Sequence, residues 1–314
     1  AIYNRPVTLL ANRFERVGYE FAGWATQADS EEVAYDNLAQ IDPYLFTDDL
    51  ELYAVWTPIT YNIEYNANGG SGSYEGVTGI EYDQEITLYD NADGEFSMTG
   101  YTWNGWTYTN DAGEVVTVSP DDLTVENLTA VKGKTVVLYV VWAENSYTLQ
   151  YNSNYSNISD KYADVENEVS DVETYLYTAE VTFKSAEELG FEFVGYRFVG
   201  WTIDPTGGDM LFAGDTTSGL TTAPNGSVTL YAQWAPISYT ITFNANGGSG
   251  DMDPVTAYYD SPVTLPANTF VYIGYDFAGW TYQNMDSETV SVENQAQVEN
   301  LRNAEGATVE FVAQ

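Results

Sequence analysis

The chain has 314 residues, with nine Lys and Arg against 47 Asp and Glu, a net charge of −38, and neither His nor Cys. Without those two residue types, disulfides, thiolate metal sites, thiol catalysis and every Ser–His or His–metal arrangement are excluded. The charge argues against nucleic-acid binding, because phosphates would be repelled at every face. A content of 44% hydrophobic and 15% aromatic residues is enough to bury a core, which argues against disorder.

The first 56 residues open with AIYNRPVTLLANRF, pass through GYEFAGW (Gly18–Trp24) and close with LYAVW (Leu52–Trp56). The succession then recurs. Residues 57–142 carry YNIEYNANGGSG (Tyr61–Gly72), GYTWNGW (Gly100–Trp106) and LYVVW (Leu138–Trp142). Residues 143–234 carry YTLQYNSN (Tyr147–Asn154), GYRFVGW (Gly195–Trp201) and LYAQW (Leu230–Trp234). Residues 235–314 carry YTITFNANGGSG (Tyr239–Gly250) and GYDFAGW (Gly274–Trp280), and reach FVAQ (Phe311–Gln314), one residue before a fourth closing Trp falls due. Three signatures in fixed order define repeats. Residues 1–56 align with TAYYDSPVTLPANTF (Thr256–Phe270), so they form a partial repeat that lacks its first strand. Residues 143–234 form a divergent repeat, in which SNYSN (Ser153–Asn157) replaces NGGSG and an acidic stretch, Lys161–Glu173, is inserted.

Alternation assigns the strands. Tyr239, Ile241 and Phe243 face one way and Thr240 and Thr242 the other; Val228, Leu230, Ala232 and Trp234 alternate with Thr229, Tyr231 and Gln233. NANGG supplies residues that tolerate positive φ, hence a turn, and the Gly before each signature Trp marks a bulge or a close backbone approach. Ser185-Ala186-Glu187-Glu188 fits a capping box for a short helix, and Glu293–Arg302 reads as a second. The expected class is therefore β-rich α+β.

Four residues separate each closing Trp from the next opening Tyr, and two of these linkers contain Pro-Ile (Pro58-Ile59, Pro236-Ile237). Proline restricts φ, so the linkers have little slack. With a radius of gyration of about 12 Å for an 80-residue globule, the expected particle is a semi-rigid rod of roughly 100 Å. The four segments carry −7, −11, −11 and −9. Acidity is thus spread evenly, as a solvated coat that discourages neighbouring repeats from collapsing onto one another. No apolar run of 18 residues occurs, which excludes a membrane-spanning helix from this sequence. No signal peptide opens it, so any targeting segment is expected to lie outside it.

The three signatures resemble the Listeria–Bacteroides repeat, also called the internalin B-repeat. The resemblance rests on Phe243–Gly248, Gly274–Trp280 and Thr229–Trp234, and it covers essentially the whole chain. It implies a small ubiquitin-like (β-grasp) fold for each repeat. It also implies tandem arrays in extracellular or wall-attached cell-surface proteins of bacteria and some archaea, often adhesins. The repeats here run longer than usual, and the third departs most.

No pair of acids is marked out for catalysis, so an enzyme is not expected. Asp48-Asp49, Asp121-Asp122 and Asp251 with Asp253 offer hard oxygen ligands for Ca²⁺, but none lies in a spaced D-x-D-x-D-G loop, and solvated surface is the simpler reading. The signature aromatics Phe21, Phe198 and Phe277 read as core, because a domain of this size needs large side chains to bury enough area. Tyr53, Tyr139 and Tyr231 lie on the opposite face and are candidate exposed contacts. Only Lys132, Lys134, Lys161 and Lys184 occur, so an internal Lys–Asn isopeptide bond cannot form within the first or fourth repeat. Asn127, Asn154, Asn157 and Asn225 stand in N-x-S/T sequons.

These features favour a structural stalk whose partners are its own neighbouring repeats. Two alternatives differ in kind. One is an adhesin module that contacts a host protein or glycan through Lys161–Glu173 or the exposed tyrosines. The other is a fibre subunit, in which a strand from another copy pairs with an edge at Val7, Thr8, Leu9 and Leu10, left open by the missing first strand.

Overall fold

A computed structural model describes residues 5–42 and 49–314. The chain divides into two compact units, Ala1–Asn145 and Ser146–Gln314. Each contains two repeats.

In the first unit, the first repeat consists of β1 (Val7–Thr8), β2 (Tyr19–Ala25), β3 (Gln40–Ile41) and β4 (Tyr53–Pro58). β1 pairs with β3, and β2 with β4, both antiparallel. The second repeat adds β5 (Thr60–Asn66), β6 (Val77–Glu81), β7 (Ile86–Thr87), β8 (Tyr101–Thr109), β9 (Val115–Val118), β10 (Thr124–Val125) and β11 (Thr135–Glu144). Five of these form one mixed sheet in the order β6-β5-β11-β8-β9. At its centre the opening and closing strands run parallel, with Ile63 beside Val136 and Tyr65 beside Leu138.

The second unit repeats the plan. Its third repeat comprises β12 (Ser146–Asn152), β13 (Glu173–Leu176), β14 (Val181–Thr182), β15 (Tyr196–Thr202), β16 (Thr216–Thr217) and β17 (Gly226–Pro236). Its fourth comprises β18 (Ser238–Asn244), β19 (Val255–Tyr258), β20 (Val263–Thr264), β21 (Trp280–Gln283), β22 (Thr289–Val292), β23 (Gln297–Val298) and β24 (Ala307–Ala313). The sheets are β13-β12-β17-β15 and β19-β18-β24-β21-β22. Parallel pairs again stand at the centre, Tyr151 beside Leu230 and Phe243 beside Phe311.

The alternation read from the sequence places the core. Tyr239, Ile241, Val228, Leu230 and Ala232 are buried, and so are the signature tryptophans Trp106, Trp201 and Trp280. Each such indole buries on the order of 200 Å², about 5 kcal/mol as an upper figure at 25 cal/mol per Å². Tyr65, Tyr151 and Phe243 of the opening strands lie 4.8, 4.8 and 5.2 Å from those indoles. Trp24 has no opening strand over it and is only half-buried. Phe21, Phe198 and Phe277 are likewise half-buried, each edge-on or tilted against its repeat's tryptophan. The bulge falls where expected: the β2–β4 and β15–β17 registers shift between Phe21 and Gly23 and between Phe198 and Gly200.

Three expectations are corrected. First, Ser185–Glu188 forms both capping-box bonds, Ser185 N–H to Glu188 Oε2 at 2.6 Å and Glu188 N–H to Ser185 Oγ at 3.1 Å, yet the chain makes successive turns and no helix. Gly190, at φ +75°, ends the run before a helix can propagate past its costly first turn. Second, Glu293–Arg302 holds β23, because Gln297–Val298 pairs with Val263–Thr264. Among the described residues the only helical pieces are 3₁₀ turns at Tyr155–Asn157 and Asp160–Tyr162, so the fold is β-rich without its α component. Third, Val7–Leu10 is not where the missing strand belongs. Val7 and Thr8 pair with Ile41 and Gln40, and Leu9 N–H donates to Ala39 O at 2.9 Å. In the other repeats the opening strand lies beside the closing strand, so the vacated place is along β4. Leu10 is exposed but borders no such place.

Candidate functional site: the junctions between repeats

The closest-built polar clusters lie where one repeat meets the next within a unit. The linker is almost consumed by strands, since β4 ends at Pro58 and β5 begins at Thr60. Between them Ile59 is buried, donates its N–H to Gly18 O at 2.9 Å and accepts Tyr82 N–H at 3.0 Å. At the junction of the third and fourth repeats, Ile237 does the same between Gly195 and Tyr259, also at 2.9 and 3.0 Å.

Side chains follow one plan at both places. Tyr19 Oη donates to Asp83 Oδ2 at 2.7 Å, and Tyr196 Oη to Asp260 Oδ2 at 3.1 Å. Each aspartate is held from behind by an asparagine: Asn127 Nδ2 to Asp83 Oδ1 at 2.9 Å, and Asn300 Nδ2 to Asp260 Oδ1 at 2.7 Å. The same asparagine Oδ1 accepts the aspartate's own N–H at 2.6 Å in both. The tyrosine ring of the next repeat packs on the glycine that opens the preceding signature. A Cβ on Gly18 would lie 2.2 Å from Tyr82 Cδ1, and one on Gly195 2.2 Å from Tyr259 Cδ1. Both glycines have positive φ, +75° and +81°, so any other residue would be strained as well as obstructed.

Ion pairs complete the junctions with reversed polarity. Glu20 accepts from Lys132 at 2.5 Å. At the corresponding positions Arg197 stands 4.0 Å from Glu305. These pairs are exposed and contribute little to stability. Arg16 also lies over the Tyr19 ring, 3.7 Å from its centroid, a cation–π contact.

The second unit adds one element. Lys161 and Tyr162, at the start of the acidic insertion, both donate to the Asp260 carboxylate. Tyr162 is wedged edge-on against Phe193 and Tyr196, at 4.8 and 6.0 Å. Burial pushes the Asp260 carboxyl up, but the bonds from Lys161, Tyr162, Asn300 and Tyr196 outweigh it and hold the group at about 2. Burial and the neighbouring carboxylate push the Tyr196 phenol well up. At Asp83 the bonds from Tyr19 and Asn127 lower the carboxyl, in the same direction. The insertion, expected to be the likeliest place for a ligand, thus spends its first residues on the neighbouring repeat. Its last residue, Glu173, bonds Lys184 and Tyr175 instead.

The remaining candidates are dispersed. Tyr139 is exposed, whereas Tyr53 and Tyr231 are half-buried; Tyr53 Oη donates to Glu51 at 2.8 Å. Asp48 lies outside the described residues. Among the described residues no three acids gather into a cation cluster, and Asp122 Oδ1 accepts Thr124 N–H at 3.3 Å as a local turn. Each sequon asparagine is engaged. Asn127 serves Asp83, Asn154 is buried and donates to Pro205 O and Ala232 O, Asn157 donates to Asn154, and Asn225 accepts from Ser146. Asn127 and Asn300 stand in a shared V-E-N-L run (Val125–Leu128, Val298–Leu301) that was legible beforehand as a fourth signature. It pointed to the junction asparagines, and the sequon reading of Asn127 obscured it.

The sequence profile of the Listeria-Bacteroides repeat domain matches residues 1–55, 61–130 and 239–302. The chain belongs to the Listeria–Bacteroides repeat family. The matched stretches of this family member include both halves of the Tyr19–Asp83 contact and the Asp260–Asn300 pair, and they omit the divergent third repeat. A "Putative Gly-rich membrane protein" of Evansella cellulosilytica is 29% identical over 284 residues, 88% of this chain and 29% of that protein. A "Putative membrane protein" of the same organism is 29% identical over 222 residues, 70% of this chain and 28% of its own length. The chain therefore spans under a third of the curated relatives it matches. Among solved structures, the Bacillus anthracis TIE protein is similar at a TM-score of 0.27 and 11% identity, over 91% of this chain and 56% of that one. The pilus adhesin SpaC of Lactobacillus rhamnosus GG is similar at 0.20 and 9%, over 88% and 45%. Scores this low carry no argument about fold or function.

Proposed function

We propose that the chain is a spacer segment of an extracellular, cell-surface protein, a stalk that holds other domains away from the cell. The observation that carries this reading is the recurrence of one junction design inside both units, in which linker backbone, tyrosine, aspartate and asparagine tie the first repeat to the second and the third to the fourth. A coupled junction transmits orientation and force, whereas a bare flexible linker would not. Membership in a tandem-repeat family and the relatives named as membrane proteins support the surface location. The parallel central pair of opening and closing strands in the second, third and fourth repeats supports assigning them to a helix-free variant of the β-grasp plan. The deciding experiment displays the full chain on a bacterial surface with an epitope at its far end. Removing the second unit, Ser146–Gln314, is expected to reduce access of a bulky antibody to the epitope. Unchanged access would overturn the spacer reading.

One observation favours assembly as a second reading. Along β4 a groove of about 1260 Å³, lined by Trp24, Val33, Tyr53, Val55 and Trp56, occupies the place of the missing opening strand. A strand from another copy would bury Trp24 there. Cross-linking of full-length chains through a cysteine placed at Tyr53 tests it, and a purely monomeric product would dispose of it.

A further inference from the structure

In the second repeat the segment after the NANGGSG turn is closed by two tyrosines. Tyr74 follows the turn, and Tyr89 follows β7 after the buried Leu88. Their rings stack with centroids 3.7 Å apart and planes 9° from parallel. Aromatic pairs ordinarily settle edge-on or offset, with centroids about 4.5–7 Å apart. Carbon atoms in contact lie about 3.5 Å apart, so these two rings face each other with an offset of only roughly 1 Å. Ring carbons of one therefore lie in van der Waals contact with ring carbons of the other. The pair is particular to this repeat. The shared turn and the strand registers place Met252 and Pro266 of the fourth repeat at the positions of Tyr74 and Tyr89, so the repeat fold does not require it.

The two rings are held differently. Tyr89 is pinned through its main chain: its N–H donates to Tyr65 Oη at 3.1 Å, and its carbonyl accepts Trp106 Nε1 at 2.7 Å. Tyr65 stands edge-on to both rings, 5.6 Å from Tyr74 and 6.3 Å from Tyr89. Tyr74 sits on a segment without regular structure and is 43% exposed. One ring is thus fixed, and the other is open to solvent and free to slide over it. Burial raises the Tyr89 phenol, and the charges of Asp93 and Glu95 add to this. Those carboxylates can take its proton when the ring is oxidised.

We propose that Tyr74 and Tyr89 are a site of oxidative cross-linking, at which an oxidant of the peroxidase–hydrogen peroxide class makes a dityrosine staple. The oxidant takes one electron from each phenol, and each phenol gives up its O–H proton. The unpaired electrons spread onto the ring carbons next to the C–O bonds. One such Cε of each ring joins the other in a new C–C bond, and the hydrogens on those two carbons move to the oxygens. Hydrogen peroxide takes up the two electrons and two protons and becomes two waters. The product fastens an exposed loop to the end of β7. A disulfide serves that purpose in other chains, but this one has no Cys.

The test treats the full chain with a peroxidase and limiting hydrogen peroxide, isolates the monomer and digests it after glutamate, which cuts between the two tyrosines at Glu75, Glu81 and Glu85. Mass spectrometry is expected to find the Tyr74 and Tyr89 peptides joined, two hydrogens lighter than their sum. This link is expected to be at least tenfold more abundant than any other link made by Tyr74. Amide exchange at Ser73–Gly76 is expected to slow at least tenfold in the treated chain. Tyr74→Phe and Tyr89→Phe preserve the ring and remove one phenol, so treatment is expected to leave exchange in these variants unchanged. The absence of the joined peptide would overturn the proposal, as would indiscriminate links from Tyr74. So would a joined chain whose exchange is unchanged, or equal slowing in the Phe variants.

Discussion

At the scale of single residues, the junction aspartates concentrate the argument. The Asp260 side chain is 9% exposed and has four side-chain donors aimed at it. Its replacement in Asp260→Ala leaves Tyr196, Tyr162 and Asn300 unpaired, a cost of about 1–3 kcal/mol where such donors are buried. The expected result is that the third and fourth repeats unfold in two separate calorimetric transitions in the variant and in one shared transition in the unsubstituted chain. Acid titration reads the same group. Its folded value of about 2 lies below the unfolded value of about 3.9, so the stability it contributes is complete above pH 4 and is lost as pH falls toward 2. In the Asp260→Ala variant that acid-dependent loss is expected to shrink, as followed by circular dichroism from pH 5 to pH 2. Glycine makes a separate prediction. Gly195→Ala drives a methyl into the Tyr259 ring, whereas a Cβ on Gly274 meets nothing within 4 Å. Backbone strain is common to both, so Gly195→Ala is expected to lower the melting temperature of the second unit more than Gly274→Ala does.

At the scale of elements, the signature tryptophans tie strand to strand. Trp201 touches the opening strand through Tyr151 and the segment just after β14 through its bond to Lys184 O at 2.7 Å. Truncation of an aromatic core residue costs about 3–5 kcal/mol, so Trp201→Ala is expected to unfold the third repeat at 37 °C while the first unit keeps its own transition. Trp24 differs because β4 lacks its parallel neighbour. Acrylamide is expected to quench Trp24 well before Trp106, which single-tryptophan variants would show by their Stern–Volmer slopes.

At the scale of the whole molecule, the charge is less uniform in its use than in its distribution. Four of the nine basic residues, Arg16, Lys132, Lys161 and Arg197, stand at the repeat junctions. The acidic coat thus keeps repeats soluble, while scarce cations are spent where repeats must meet. The net −38 still repels itself, and the exposed pairs Glu20–Lys132 and Arg197–Glu305 contribute little. Raising NaCl from 20 mM to 500 mM, where the Debye length drops to a few ångströms, is expected to raise the melting temperature. A fall would mean that the ion pairs outweigh the repulsion.

The sequence by itself determined the repeats, the strand faces and the absence of His and Cys chemistry, because period-two alternation and recurring signatures are local properties. Alternation placed Leu230, Ile241 and Tyr239 in the core correctly. It misjudged Ser185–Glu188, where a correct local capping pattern meets a glycine five residues on, and Glu293–Arg302, where pairing with Val263–Thr264 overrides helix propensity. Only the tertiary structure decided what the signatures are for. The glycine of G-Y-x-x-x-G-W belongs as much to the next repeat's tyrosine as to its own turn. Asp260 has partners 98 residues away at Tyr162 and 64 away at Tyr196. Such contacts leave no periodic trace: they depend on two repeats being brought together, and a one-dimensional pattern does not record which side chains then converge.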